Sequence, residues 1–242
     1  MGFGTSIPLG RARAPGLFSF LFPGSTDSHG RTRRATTRDP SRVQLTAKRA
    51  VDIVGSSVGL VIFAPLLIGI ALAIKMTSSG PVFFRQKRYG YHNRRFMIFK
   101  FRTMFVHLGD GKGTQQTTAD DPRVTPLGRI LRKTSLDELP QLLNVLAGDM
   151  SLVGPRPHVP GMLAGGILYE ELTPYYFQRH NMRPGITGLA QVSGYRGSTA
   201  APLSAIERLD HDLHYIEGWS LRLDARIVLQ TLAREFISGS AD

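Results

Sequence analysis

The sequence predicts a mixed α/β protein, mainly helical, organised around one apolar helix with a small β-hairpin behind it. Three observations carry that prediction: an uncharged run at 53–74, a switch to aromatic alternation just after Gly80-Pro81, and two helical patterns that close the chain. The 242 residues suit one domain of ordinary size with tails. There is no cysteine, which excludes disulfide scaffolds, thiolate metal sites, iron–sulfur clusters and a cysteine nucleophile. The net charge of +12, from 30 Lys+Arg against 18 Asp+Glu, calls for an anionic partner: nucleic acid, a phosphorylated substrate or an acidic membrane surface.

Residues 1–47 read as a disordered basic N-terminal arm. They are rich in Gly, Pro, Ser, Thr and Arg and bury too little apolar area to offset their ordering entropy. The apolar patch at 17–22 is too short for a signal-peptide core. Residues 48–76 then read as a membrane-seeking helix. The uncharged run would reach about 33 Å if straight, close to a bilayer core. Pro65, preceded by Ala64, falls inside it and predicts a kink. Basic residues crowd both flanks, with Arg42, Lys48 and Arg49 before and Lys75, Arg85, Lys87 and Arg88 after. Short Lys/Arg-rich flanks prefer the cytoplasm, so a helix that dips in, bends and returns satisfies both ends where a straight span does not. Hydropathy alone leaves three readings open: re-entrant, spanning, or the core helix of a soluble protein.

Beyond Pro81 the stretches 81–89 and 96–104 read as a β-hairpin turned over 90–93. A Gly/Thr/Gln-rich loop is expected at 109–118, and turns at Asp121-Pro122 and Pro126-Leu127-Gly128. Helical patterns follow at 130–132, 136–146 and 163–177, then a Gly-punctuated extended stretch at 183–194, then helices over 203–217 and 222–237.

The segment most able to carry chemistry runs from Arg132 to Gln141. Ser135 and Glu138 have capping-box spacing, which predicts a helix from Ser135 with Asp137 in its first turn, where free N–H groups favour anions. Pro140 conflicts with that helix, because its missing N–H falls at the first position that needs one. Arg132 and Lys133 stand just upstream of Asp137 and Glu138, a set able to hold a phosphate and a divalent metal beside a carboxylate nucleophile. Plain helix capping is the competing reading. Arg156, fixed between Pro155 and Pro157, suits either a phosphate grip or a solvated turn, and Arg183-Pro184-Gly185 repeats the theme. Asp210-His211-Asp212-Leu213-His214 invites a metal site, but helical spacing separates His211 from Asp210 and His214, so a polar helix face is expected. Trp219 suits an interfacial anchor or the core equally. Lys100-Phe101-Arg102-Thr103 suits stacking on nucleic acid or lying against anionic lipid.

Taken in order, several motifs together resemble a known family. They are Lys48-Arg49 with Asp52, the apolar run broken at Pro65, Lys100 to Met104, Arg132 to Pro140, Gly148 to Pro157, 183–194, and Tyr215 with Trp219-Ser220 and Asp224. The resemblance is to bacterial sugar transferases, the monotopic polyprenyl-phosphate phosphoglycosyltransferases that start exopolysaccharide and O-antigen repeat units. It covers about 45–237, and this sequence looks like the short catalytic form rather than the larger relatives with an extra N-terminal membrane bundle.

The resemblance implies a monotopic protein of a bacterial inner (plasma) membrane, with a re-entrant helix bent at Ala64-Pro65, amphipathic interfacial helices and a cytoplasmic catalytic domain over 77–242. It implies a ping-pong reaction in which Asp137 attacks the sugar-linked phosphorus of a UDP-sugar (galactose or glucose), UMP leaves, and undecaprenyl phosphate takes the phosphosugar. Glu138 would bind Mg²⁺ or help deprotonate the acceptor, with Asp137 as the second metal ligand. Arg132, Lys133, Pro155, Arg156, Pro157, Arg183 and Gln191 would contact substrate. Asp137 is expected to be held ionised by the helix start and Arg132. On this view the positive charge serves anionic lipids and phosphates, not nucleic acid, and a homodimer stays open. A membrane-associated nucleic-acid-binding protein and a non-catalytic scaffold of a polysaccharide assembly are the competing functions.

Overall fold

The computed structural model describes residues 41–108, 117–118, 120–195 and 202–237. The N-terminal arm up to residue 40 and most of the expected loop at 109–118 lie outside them. Helix α1 runs over Arg42–Thr77, 36 residues. It begins inside the stretch that reads as arm, because Ser41 and Gln44 form a capping box there: the Ser41 hydroxyl accepts from the Gln44 N–H at 3.3 Å, and the Ser41 N–H donates to Gln44 Oε1 at 2.9 Å. Pro65 lies within the helix.

By length and composition α1 is the one described helix able to cross a membrane, and only 11% of its most apolar window is buried. Val61, Ile62, Phe63 and Leu66, around Pro65, are exposed. That exposure rules out the soluble-core reading, since a core helix hides its apolar face.

Both halves of α1 are nevertheless held by the same body. In the first half, Arg49 donates to the Val145 carbonyl at 2.6 Å and the Leu146 carbonyl at 2.9 Å. Asp52 Oδ1 accepts from Ser151 Oγ and the Leu152 N–H, both at 2.9 Å. In the second half, Ile70 and Ile74 pack with Phe101 and Leu131.

The hairpin forms as expected. Strands β1 (Phe83–Tyr89) and β2 (Arg95–Phe101) pair antiparallel, with Phe83 opposite Phe101 and Tyr89 opposite Arg95. Helix α2 covers Pro126–Lys133, longer than the pattern at 130–132 suggests. Pro126, which reads as a turn, is its first residue, where a missing N–H costs nothing, and the Thr125 hydroxyl accepts from the Gly128 N–H at 2.8 Å.

Two expected helices are corrected. The stretch 136–146 is split: Leu136–Glu138 forms a 3₁₀ turn, and α3 covers Gln141–Ala147. Ser135 is left-handed (φ 54°) and its side chain caps nothing, so the capping box does not form. Pro140 becomes the N-cap of α3, which resolves the conflict by moving the helix start past it. The stretch 163–177 is not helical either. Leu163–Ala164 (β4) and Ile167–Leu168 (β5) pair as a small hairpin, followed by 3₁₀ turns at Tyr169–Glu171 and Tyr176–Asn181. Gly165 and Gly166 both take positive φ, which bends the chain where the apolar spacing alone suggests continuity.

Strand β3 (Ser151–Val153) pairs in parallel with β6 (Gly185–Thr187), and a short α4 (Leu189–Val192) interrupts the stretch expected to be extended. Helices α5 (Pro202–Glu217) and α6 (Leu221–Ile237) close the fold as expected. Val153, Met182, Leu189, Val192, Tyr215 and Ile227 form the core between β3, α4 and these helices, with Trp219 packed on it. Trp219 is half-buried and packs on that core, its Nε1–H donating to Asp224 Oδ2 at 3.1 Å. The cluster at 210–214 is not simply a polar face. Asp212 is 1% exposed and forms a buried ion pair with Arg179, whose Nε donates to it at 3.1 Å, while His211 is also buried.

Candidate active site

The two adjacent carboxylates meet opposite surroundings. Glu138 is pinned by cations: Lys100 Nζ, from β2, donates to its Oε1 at 2.6 Å, and Arg156 forks onto both oxygens, with Nη1 on Oε2 at 3.0 Å and Nη2 on Oε1. Asp137 is buried on the same 3₁₀ turn, yet its carboxyl makes no hydrogen bond or ion pair among the described residues. Left-handed Ser135 at the head of that turn separates it from α2.

Burial pushes the Glu138 carboxyl up, but Arg156 and Lys100 outweigh it and hold the group well below the usual carboxylate range. Asp137 moves the other way. Burial raises it, Lys100 pulls it down, Glu138 pushes it up, Arg132 and Arg156 pull it down, and the balance lies above the ordinary value. Arg132 does favour the ionised form, as expected, but burial rather than the helix start sets the direction of the shift. The turn offers only three residues of dipole, and desolvation is the larger effect. Neighbouring carboxylates driven apart in this way are suited to separate chemical roles.

Arg132, on the last turn of α2, is oriented by Nε donating to Thr103 Oγ1 at 3.0 Å, and its charge acts on Asp137. Lys133 is exposed and bonds neither carboxylate. Pro157 stands at the cleft beside Arg156, its carbonyl accepting from Arg88 Nη1 at 3.0 Å, while the Pro155 carbonyl accepts from the Gly185 N–H at 3.0 Å. Arg183 and Gln191 bond elsewhere. Arg183 Nε donates to the Gly148 carbonyl at 3.0 Å and its guanidinium lies over the Tyr91 ring at 5.4 Å. Gln191 Nε2 donates to the Ile186 carbonyl at 3.1 Å. Ala64 and Pro65 lie on α1.

Sequence reasoning left Lys100 out of the site, although it is the nearest cation to Glu138 after Arg156. Its alternation with Phe101 was visible; that the hairpin folds back beneath the 3₁₀ turn was not. A divalent cation between the two carboxylates would have to displace three N–H donors from Glu138, and the described residues contain no group of three His, Asp or Glu side chains able to hold a metal. Mg²⁺ arriving with a substrate would find Asp137 as the carboxylate not already bonded, and the substrate's phosphate oxygens would be its other ligands.

Comparison with known proteins agrees with the motif order. A family model described as bacterial sugar transferase matches residues 43–238. The exopolysaccharide production protein PSS of Rhizobium leguminosarum bv. phaseoli is 51% identical over 197 residues, covering 81% of this chain and 98% of that protein. The undecaprenyl-phosphate glucose phosphotransferase of Komagataeibacter xylinus is 48% identical over 204 residues, 84% of this chain and 38% of that one. The UDP-glucose:undecaprenyl-phosphate glucose-1-phosphate transferase of Escherichia coli K12 is 46% identical over 201 residues, 83% of this chain and 42% of that one. The chain thus spans nearly all of the first relative and less than half of the other two.

Proposed function

The chain belongs to the bacterial sugar transferase family, and from that premise we propose that it moves a sugar-1-phosphate from a UDP-sugar to undecaprenyl phosphate, releasing UMP, at the cytoplasmic face of a bacterial inner membrane. Glucose is favoured over galactose as the sugar, because several relatives between 44% and 50% identical are named as glucose transferases. The product would begin an exopolysaccharide repeat unit.

One observation carries the reading: Asp137 is buried, unbonded and surrounded by Lys100, Arg132 and Arg156, while Glu138 holds two of those cations in place. An unbonded carboxylate with a raised pKa is the better nucleophile of the two. Its Oδ forms a bond to the sugar-linked phosphorus, the bond from that phosphorus to the bridging oxygen breaks, and the electron pair leaves with UMP. A phosphate oxygen of the acceptor lipid then attacks the same phosphorus and returns Asp137 as a free carboxylate. Glu138, held well below the usual range and accepting three N–H bonds, makes a poor base. It serves as a positioning residue for Arg156 and Lys100, which offset the charge on the equatorial oxygens. Mg²⁺ carried with the donor would add further charge neutralisation there.

A monotopic placement is supported by α1. The residues flanking its exposed middle are bonded to or packed on one body at both ends, which a helix with ends on opposite sides of a bilayer would not allow. The basic flanks would then share one leaflet with the acceptor's phosphate.

The test is UMP release from UDP-glucose without acceptor. Purified protein in nanodiscs should release about one UMP per chain and carry a hexose-phosphate on the peptide containing Asp137. Asp137→Asn should release none. Full turnover by Asp137→Asn would overturn the assignment.

A further inference from the structure

The cleft beside Glu138 is lined by Arg88, Ile98, Lys100, Gln141, Arg156 and Pro157. Two of these residues carry buried N–H groups with nothing to bond. Gln141 is 2% exposed, and its Nε2 has no hydrogen-bond partner. Arg88 is fixed by Nη1 on the Pro157 carbonyl at 3.0 Å and Nη2 on Gln86 Oε1 at 2.7 Å, which leaves its Nε buried and unbonded. Buried donors without acceptors are costly, and folded proteins retain few. Two residues that line one cleft, each keeping such a donor, suit an acceptor bound there.

Charge narrows what that acceptor is. Arg88, Lys100 and Arg156 bring three cations to the lining, against Glu138, bonded to the last two, and the neighbouring Asp137 carboxyl, which acts on the same two through its charge. Unmet donors with an excess of positive charge suit a group offering several anionic oxygens, and a guanidinium held by its own hydrogen bonds is preorganised for one. We propose that Arg88 and Gln141 are substrate-binding residues that donate to phosphate oxygens in this cleft. The inference rests on the phosphosugar-transfer reading and adds two side chains that neither the motif order nor the paired carboxylates identify. The donor's pyrophosphate and the acceptor's lipid phosphate share the required chemistry.

The test uses the full chain in nanodiscs, with Gln141→Leu and Arg88→Lys. Steady-state kinetics are measured against UDP-glucose and against undecaprenyl phosphate, alongside thermal unfolding without ligand. Losing a hydrogen bond to a charged phosphate should raise KM roughly tenfold or more, with a smaller fall in kcat. A rise confined to UDP-glucose places the donor in the cleft, and one confined to undecaprenyl phosphate places the acceptor there; either supports the proposal. Gln141→Leu should unfold no lower than the parent, because the amide N–H it removes was unpartnered. A lower unfolding temperature for Gln141→Leu, with parental KM values, would assign Gln141 to the core and overturn its part. Parental KM values for both substrates in Arg88→Lys would overturn the other. If the parent releases no UMP at all, the phosphosugar reading is what fails. Calorimetric binding of inorganic pyrophosphate then judges the cleft alone, and equal binding by parent and variants would overturn the proposal.

Discussion

Lys48 Nζ donates to Asp224 Oδ2 at 2.7 Å, joining the early turns of α1 to α6 across 176 positions of sequence. Both side chains are buried, and the same Asp224 carboxylate accepts from Tyr215 OH at 2.7 Å. Lys48 also donates to the Val153 carbonyl at 3.0 Å, so one ammonium ties the membrane-seeking helix, strand β3 and the closing helix together.

Removing one member of such a pair leaves a buried charge uncompensated, which costs about 3–5 kcal/mol. Lys48→Met should therefore lower the thermal unfolding temperature sharply. The double variant Lys48→Met/Asp224→Asn should recover part of the loss, since the asparagine amide oxygen would still accept from Tyr215 without carrying charge. Strictly additive losses in the cycle would show that the pair is not coupled.

Asp137 gives a stability prediction of opposite sign to its catalytic one. Its carboxyl titrates above its unfolded value, so it disfavours the folded state increasingly as pH rises through the window between the two values, and the penalty is constant above it. Asp137→Asn should thus abolish UMP release while unfolding at a higher temperature than the parent at neutral pH, an advantage that vanishes in acid. Glu138→Gln removes a like charge that pushes Asp137 up and frees Arg156 and Lys100 to act on it. The acid limb of the pH–rate profile should then shift to lower pH, with kcat reduced on the order of 10²-fold as the guanidinium loses its anchor. An unmoved acid limb would contradict this electrostatic account.

Two glycines separate close packing from helix propensity. A Cβ on Gly128 would lie 2.1 Å from the Thr103 carbonyl oxygen, a backbone atom beside the hydroxyl that orients Arg132. Gly128→Ala should destabilise by at least the ~1–3 kcal/mol of ordinary overpacking, and reduce UMP release as well. Gly69, on α1, has nothing within 4 Å of its would-be Cβ, so Gly69→Ala should be neutral or stabilising by up to about 1 kcal/mol. Unfolding measurements on both variants decide it.

The absence of native cysteine makes topology directly readable. Thr46 and Thr77 are exposed and lie near the two ends of α1. Thr46→Cys and Thr77→Cys should both resist an impermeant maleimide in intact spheroplasts and both react in inside-out vesicles. Labelling from opposite sides would establish a span and end the monotopic reading.

The regular elements were legible where local chemistry is decisive. Alternation gave the hairpin, since a period of two is a property of the strand itself, and the last two helices followed from their spacing. The split at Pro140 was half-legible: the sequence exposed the conflict without showing how the chain would settle it. The stretch at 163–177 was misread because apolar spacing outweighed two glycines whose positive φ only the folded path requires. At the site, spacing and family resemblance give roles to Asp137, Glu138, Arg132 and Arg156 but none at the carboxylates to Lys100, Arg88 or Gln141, which only the folded chain brings to one cleft.

By itself the sequence determined which segment seeks lipid, where the hairpin and the closing helices lie, and that two acids stand side by side among cations, because these depend on neighbours along the chain. Tertiary structure alone decided that Glu138 is neutralised while Asp137 is left bare, and that one body grips α1 at both ends. Those outcomes depend on desolvation and on charges brought from β2 and the loop after β3, and neither distance nor burial is written in residue order.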